Sequence, residues 1–273
     1  MLKRNISILL LGLTHIVAFM PFALAKDTFQ APIYADIIQG WDVSDGRRIS
    51  AVQLTLEPGW KTYWRAPGSS GIPPHFDWSQ AENLAQVSIK WPTPKVFFDD
   101  GVQSIGYKNK VVIPMYLTPS KIDKPIRLRA TMSLGLCSEV CIPYEIKIDT
   151  LLNAPDTKPT PAIVAALADG PYTREEAGVQ TAICKLRPTE NGMEINATIE
   201  LPHTGGREIV IIETNTKELW VSEAHTNRKD DTLTAVSEMI HVNKGSFAID
   251  RSSVRITIIG KNYAVDIQGC VAS

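Results

Sequence analysis

Residues 126–148 read IRLRATMSLGLCSEVCIPYEIKI, and this stretch decides how the first half of the chain folds. On both sides of the two cysteines, apolar side chains occupy the even positions, while arginine, threonine, serine, glutamate and lysine occupy most odd positions. Such alternation is typical of β-strands, whose side chains point to opposite faces in turn. The stretch therefore predicts two strands, each with a buried face and a polar face.

The two cysteines, Cys137 and Cys141, lie between these strands. In one extended strand their Cα atoms would be about 13 Å apart, at ~3.3 Å per residue. A disulfide requires a Cα separation of roughly 4.4–6.8 Å, so the chain must turn between the cysteines if they pair. The alternation places both on the polar, outward register. It predicts an accessible cysteine pair at the tip of a hairpin.

This pair has two interpretations, a static staple of the hairpin or a redox-active disulfide. Cross-linking a short loop restricts the unfolded chain only weakly, and an exposed disulfide tends to be labile. Glu139 and Glu145 lie close in sequence, and their carboxylates disfavour a nearby thiolate. The pattern therefore favours a disulfide that is attacked by a partner's thiolate over an activated nucleophile, and the static staple stays open as an alternative.

Cys184 and Cys270 open and close the second half of the chain. A bond between them would enclose a long loop, and in the chain-entropy model it would stabilise the fold by about 4 kcal/mol. Cys184 alternates with Ala182 and Leu186, which predicts an inward side chain. We therefore predict a structural disulfide, with two free thiols as the alternative.

The N-terminus has the pattern of an export signal. Lys3 and Arg4 precede an apolar run over residues 6–22, and the small-x-small sequence of a cleavage site follows at residues 23–25. Polar residues and a proline within the run disfavour the alternative, a permanent membrane anchor. We expect export to an oxidising compartment, a bacterial periplasm, with no membrane span after cleavage. The net charge of −1 gives no electrostatic reason to expect nucleic acid as a partner.

The remainder of the chain is β-rich. Short alternating runs are separated by proline- and glycine-containing turns, a pattern that favours β-sandwiches over a parallel sheet. Pro114 interrupts one run and predicts an edge strand or a bulge. Residues 153–161 have three prolines and no apolar period; they predict a stiff linker, followed by a helix from Pro161 to about Ala168. The predicted division is a signal peptide, a first β-domain, a linker with the helix, and a second β-domain: 1–25, 26–152, 153–170 and 171–273.

A metal site is the rival interpretation of two cysteines at this spacing. Zinc sites usually add two further cysteine or histidine ligands at short spacing, and no histidine lies beside this motif. Copper(I) accepts two thiolates and a soft third ligand, but Met132 falls on the opposite register. We expect no cofactor.

Five aromatic residues crowd the first half, where we predict core packing for most and shielding of the disulfide by a few: Trp60, Tyr63, Trp64, Trp78 and Trp91.

Four segments together resemble a known family: residues 60–74 (WKTYWRAPGSSGIPP), 91–94 (WPTP), 106–107 (GY) and 137–143 (CSEVCIP). They are similar to the N-terminal periplasmic domain of DsbD-type disulfide reductases, and most similar to its ScsB-like branch. The resemblance spans about residues 33–152. A weaker resemblance covers the second half. There, ScsB-like proteins also have one cysteine near each end, and Cys184 and Cys270 occupy the corresponding places in this chain.

The resemblance implies an immunoglobulin-like β-sandwich followed by a second one, so the expected fold class is all-β with two such domains in tandem. It also implies that Cys137 and Cys141 cycle between disulfide and dithiol. They would take electrons from a membrane-embedded DsbD- or CcdA-like reductase and pass them to periplasmic thioredoxin-like proteins. The sequence ends at Ser273 without membrane helices or a thioredoxin-like domain, so we expect separate partner proteins. The alternatives are a copper(I)-binding or copper-tolerance module and a non-catalytic adaptor.

Overall fold

The computed structural model describes residues 31–99, 101–153, 158–216 and 218–272, and the predicted signal peptide lies outside these residues. Alternating apolar positions become strands throughout, as in residues 126–136, where every even-numbered side chain is buried. The first ten strands are β1 Ile33–Asp42, β2 Arg48–Leu56, β3 Lys61–Tyr63, β4 His75–Asp77, β5 Leu84–Ile89, β6 Lys95–Asp99, β7 Val102–Lys108, β8 Lys110–Pro119, β9 Ile126–Cys137 and β10 Cys141–Leu152.

These strands form a first sandwich of two antiparallel sheets. One sheet has the order β1-β2-β8-β5, and the other has the order β10-β9-β3-β7-β6, with β4 also paired to β9. The core between the two sheets holds fully buried side chains from both, including Leu54 and Met115 from one and Leu128 and Leu136 from the other. The long β9–β10 hairpin carries the cysteine motif at its tip.

Pro114 does not lie at an edge, because β8 runs between β2 and β5. The edge prediction is therefore wrong. Pro114 pairs with Ala51 of β2, and its carbonyl accepts a hydrogen bond from the backbone nitrogen of Lys90 at 2.8 Å. In an antiparallel sheet, the backbone nitrogen and carbonyl of one residue face the same neighbouring strand. The N–H that Pro114 lacks would therefore have pointed to the β5 side. Regular pairing with β5 has just ended at Ile89, so the proline removes no ladder bond.

A helix, α1, covers Pro161–Ala168, where the sequence predicts one. It packs Ile163 onto the outer face of the β1-β2-β8-β5 sheet, against Ile49 and Ala51. The remaining strands are β11 Tyr172–Thr173, β12 Thr181–Pro188, β13 Met193–Glu200, β14 Ile209–Glu213, β15 Leu219–Val221, β16 His225–Lys229, β17 Thr232–His241, β18 Arg255–Ile259 and β19 Ala264–Gln268, with a 3₁₀ turn at Arg251–Ser253.

The strands after α1 form a second sandwich. Its sheets have the orders β11-β19-β18-β14 and β12-β13-β17-β15, with β16 also paired to β17. The short β11 is parallel to β19, and the other pairs are antiparallel. This sandwich has a core of its own, formed by side chains such as Ile195, Ile199 and Ile256. The predicted fold class, all-β with immunoglobulin-like sandwiches, is confirmed.

The two sandwiches pack against each other within one compact unit, Pro32–Ser273. The β14–β18–β19 surface that faces away from the second core contributes Ile211, Ile259 and Ala264 to the first hydrophobic cluster. Thr257 on the same surface is fully buried. A sheet face that would otherwise be solvated is thus covered by the first sandwich. Among the described residues, no helix has the length and apolar character needed to cross a membrane.

Candidate functional site

The cysteine motif forms the turn of the β9–β10 hairpin. Cys137 and Cys141 occupy directly opposed positions of the two strands, and their Cα atoms are 4.1 Å apart. The two residues are joined by a disulfide. The backbone nitrogen of Ser138 donates a hydrogen bond to the carbonyl of Val140 at 3.2 Å, which closes the turn. The predicted reversal of the chain between the cysteines is confirmed.

The two cysteines differ in exposure. Both occupy the register that faces away from the core, as the alternation predicted, but only Cys141 is exposed. Cys137 is buried, with 6% of its surface accessible. The prediction of an accessible pair is therefore wrong for Cys137. A remote part of the chain, residues 63–73, packs against this face of the hairpin at Gly135 and Cys141, and we call it the 63–73 segment.

Tyr63 is the central residue of this packing. It is 3% exposed, and its hydroxyl lies 3.3 Å from the Sγ atom of Cys141. Its ring lies over Gly135, where an added Cβ would come within 2.7 Å of the ring. Glycine at this position is therefore required for the tyrosine to lie flat against β9. Burial, with the nearby Asp99 carboxylate, raises the pKa of Tyr63, so its hydroxyl stays protonated and can donate to the sulfur.

The rest of the 63–73 segment continues the covering layer. The Cβ of Ile72 would be 2.9 Å from a Cβ added at Gly135, and a Cβ added at Gly71 would be 2.2 Å from Pro67. Backbone hydrogen bonds hold the start of the segment on β7: Trp64 donates to Ile105 at 2.9 Å, and Ile105 donates to Pro67 at 3.0 Å. The sequence indicated shielding by some aromatic residues, but it did not identify this segment. Its proline- and glycine-rich composition was the available signal.

Lys61 is a second feature that sequence reasoning missed. It is paired directly opposite Cys137 across β3 and β9, and its side chain is only 8% exposed. Its ammonium group donates hydrogen bonds to Asp99 and, at 2.9 Å, to Ser104. The Lys61 hydrogen bond lowers the pKa of Asp99. Because this charge is already paired with Asp99, it activates the cysteines little.

The second cysteine pair lies in the second sandwich. Cys184 and Cys270 are joined by a disulfide, with Cα atoms 5.7 Å apart and a sequence separation of 86. Cys184 is on β12 of one sheet, and Cys270 follows β19 of the other sheet, so the bond links the two layers. Cys184 is fully buried and Cys270 is 8% exposed. The inward orientation predicted for Cys184 is confirmed.

The structure brings no further metal-binding side chains to the motif. Within the described ranges, no three or more histidine, cysteine, aspartate or glutamate residues cluster in a way that could hold a metal ion. Met132, the soft ligand nearest in sequence, is 1% exposed and points into the core. It therefore lies on the opposite face of β9 from Cys137 and does not complete a copper(I) site with the two thiols.

Comparison with known proteins agrees with this geometry. Residues 22–153 match the family described as thiol:disulfide interchange protein DsbD, N-terminal. The resemblance inferred from the sequence is thereby confirmed: this part of the chain is similar to the N-terminal domain of DsbD. The match supports a role in thiol–disulfide interchange.

A solved structure resembles both sandwiches together. It is the crystal structure of the N-terminal periplasmic domain of ScsB from Proteus mirabilis, with a TM-score of 0.62 and 22% sequence identity. The similarity covers 88% of this chain and 93% of that chain. At this identity the likeness establishes the fold. No curated protein sequence matches the chain.

Proposed function

We propose that this protein is a periplasmic thiol–disulfide exchange protein that relays electrons through Cys137 and Cys141. The observation that carries the proposal is a hairpin-tip disulfide with one exposed and one buried cysteine, within a DsbD N-terminal-type domain. The domain type suggests a membrane-embedded reductase of the DsbD or CcdA kind as the electron donor and thioredoxin-like proteins as acceptors. The buried Cys184–Cys270 disulfide has a structural role in this proposal.

The difference in exposure gives the two sulfurs different roles. A thiolate of the donor attacks Sγ of Cys141 and forms a mixed disulfide. The Cys137–Cys141 bond breaks, and its electron pair leaves on Sγ of Cys137. The donor's second thiolate then attacks the donor sulfur of the mixed disulfide and releases Cys141 as a thiolate. The donor ends as a disulfide, and the pair, after taking up two protons, ends as a dithiol.

The reduced pair transfers its electrons by the same steps in reverse. The Cys141 thiolate attacks the acceptor's disulfide, and Cys137 then attacks Sγ of Cys141 and releases the acceptor as a dithiol. Cys137 is well placed to resolve the mixed disulfide because the hairpin ladder holds it opposite Cys141, with Cα atoms 4.1 Å apart. Such fixed proximity makes the second step effectively intramolecular and fast.

Trapping of the mixed disulfide tests the proposal. In Cys137→Ala, Cys141 has no resolving thiol, so reaction with the disulfide form of a thioredoxin-like protein should leave a stable covalent complex. Non-reducing electrophoresis and mass spectrometry would locate the bond at Cys141. In the matched variant Cys141→Ala only the buried thiol remains, and we expect roughly tenfold less complex because thiol reactivity follows access. Absence of a complex with both variants would refute the proposed function.

A further inference from the structure

The second sandwich contacts the 63–73 segment through a buried ion pair. Arg65 donates from Nε and Nη2 to the two carboxylate oxygens of Glu213, at 3.1 and 3.0 Å. Its Nη2 also donates to Oγ1 of Thr257 at 3.0 Å. A bidentate arginine–carboxylate pair fixes the relative orientation of the two side chains as well as the distance between them. The ion pair therefore holds one particular placement of the segment on the second sandwich.

The ion pair is largely buried, which increases the free-energy cost of removing one partner. The Arg65 and Glu213 side chains are only 12% and 22% exposed. Burial lowers the pKa of Arg65, and the Glu213 carboxylate opposes that shift. Removing the carboxylate would leave a largely buried charge without its partner, which is a costly state. The guanidinium also lies 3.9 Å from the centre of the Trp64 ring, so a displaced Arg65 would disturb the residue next to Tyr63.

Apart from these contacts, the segment is loosely packed against the second sandwich. A cavity of about 460 Å³ separates the two, with Ala66 and Gly68 on one side and Leu219 and Trp220 on the other. This cavity is open to solvent, so the side chains on its two sides do not pack against each other across it. Farther along the segment, the exposed Ser69 hydroxyl donates to the Glu223 carboxylate at 3.0 Å. Polar contacts, rather than close packing, therefore connect the segment to the second sandwich.

We propose that Arg65, held by Glu213 and Thr257, is a positioning residue for disulfide exchange, and that the second sandwich thereby controls access to Cys137–Cys141. This inference rests on the proposed function. The backbone bonds to β7 hold residues 64–67, and the cross-sandwich contacts keep the rest of the segment, with Ile72, over β9. Loss of the Arg65 contacts lets the segment move into the cavity and uncovers the sulfurs.

The test measures how fast dithiothreitol reduces each disulfide in the full chain, by alkylation and mass spectrometry of the cysteine peptides. In Glu213→Gln/Thr257→Val, which removes the partners of Arg65 with little change in volume, we expect Cys137–Cys141 to be reduced about tenfold faster, the effect of losing one charge-assisted contact. The rate at Cys184–Cys270 in the same sample should stay unchanged, which serves as the internal control.

Two further variants calibrate this result. Gly135→Ala places a methyl group against Tyr63 and Ile72, so it should displace the segment directly and show the rate of an uncovered disulfide. Glu208→Gln removes the carboxylate that binds Arg228 in the second sandwich. It weakens that sandwich without touching the segment, and its reduction rate at Cys137–Cys141 should match that of the wild type.

Three outcomes would overturn the inference. The first is that Cys137–Cys141 in Glu213→Gln/Thr257→Val is reduced at a rate within about twofold of wild type, which is the scatter expected of an independent surface change. Glu208→Gln accelerates reduction as much, which would assign the effect to general destabilisation. Gly135→Ala gives no acceleration, which would mean that the segment does not limit access. Because the reductant is a small molecule, none of these depends on the trapping of a partner by Cys137→Ala, so this inference and the proposed function fail separately.

Discussion

Cys137–Cys141 joins opposed residues at the tip of one hairpin, whereas Cys184–Cys270 joins two sheets through residues 86 positions apart. At the hairpin tip one cysteine is exposed and the other is buried. In the second sandwich both cysteines are buried by the core itself. The same bond therefore includes an exposed cysteine in one sandwich and joins two buried cysteines in the other.

In the proposed function, position, more than the bond itself, separates a reactive disulfide from a structural one. A short loop contributes little stabilisation, and an exposed sulfur can be attacked. A long loop across two sheets stabilises the fold, and burial protects its sulfurs. In the further inference, the 63–73 segment adds an intermediate level of control, because residues 67–73 are not part of the first core cluster and can move without unfolding the sandwich.

The largest expected effect is the loss of exchange on replacing Cys141. Cys141→Ala should lower disulfide exchange with a thioredoxin-like protein to the background rate, because no disulfide and no exposed thiol remain at the tip. Cys184→Ala/Cys270→Ala should exchange at the wild-type rate. A coupled assay of thioredoxin-like protein oxidation would measure both. If the second variant were folded but inactive, the assignment of separate roles to the two disulfides would be wrong.

The second prediction concerns stability. Cys184→Ala/Cys270→Ala should lower the free energy of unfolding by about 4.5 kcal/mol, and Cys137→Ala/Cys141→Ala by about 2 kcal/mol, because the entropy model scales with the length of the closed loop. Chemical denaturation followed by circular dichroism would measure both values. Equal losses, or a larger loss from the hairpin variant, would contradict the distinction between a structural and a reactive bond.

The third prediction concerns acid sensitivity of the second sandwich. Burial raises the pKa of Glu208, but hydrogen bonds from Arg228 and Thr204 outweigh it and hold the value below the usual one. The ionised carboxylate therefore stabilises the fold above the ordinary glutamate pKa of about 4.3, and this contribution is lost as pH falls through the lower folded value.

Glu208→Gln should accordingly cost about 2 kcal/mol of unfolding free energy at neutral pH, the usual cost of losing a buried charge-assisted hydrogen bond. The difference from wild type should shrink as the pH is lowered below about 4. Urea denaturation at a series of pH values would measure it. A difference independent of pH would show that the ionisation of Glu208 does not contribute.

The smallest expected effect is that of Tyr63→Phe. The hydroxyl donates to the Sγ atom of Cys141 at 3.3 Å, and such a bond is stronger to a thiolate than to a disulfide sulfur. Its loss should make the pair harder to reduce by about twofold in the equilibrium constant, since a single hydrogen bond has a small net free energy. Equilibration with glutathione would measure it. An easier reduction would contradict the assigned donor direction.

Much of the fold could be predicted from local patterns. The alternation over residues 126–148 predicted two strands and which face of each is buried, and the spacing of the cysteines predicted a reversal between them if they pair. Pro161, a proline in the first turn, predicted the start of α1. The wrong expectations share one cause, the influence of distant residues. Pro114 reads as an edge residue because a sequence does not show where β5 stops pairing. Cys137 reads as exposed because a sequence does not show which strands and loops pack beside it.

The sequence by itself determined which residues alternate, where the chain turns and which two cysteines share a hairpin, because these depend on steric preferences between near neighbours. Only the tertiary structure decided that Cys137 is covered while Cys141 is exposed, and that Arg65 reaches Glu213 in the other sandwich. Those features depend on packing between segments far apart in the chain. The Arg65–Glu213 ion pair requires both sandwiches, whereas the burial of Cys137 requires only the assembled strands of the first.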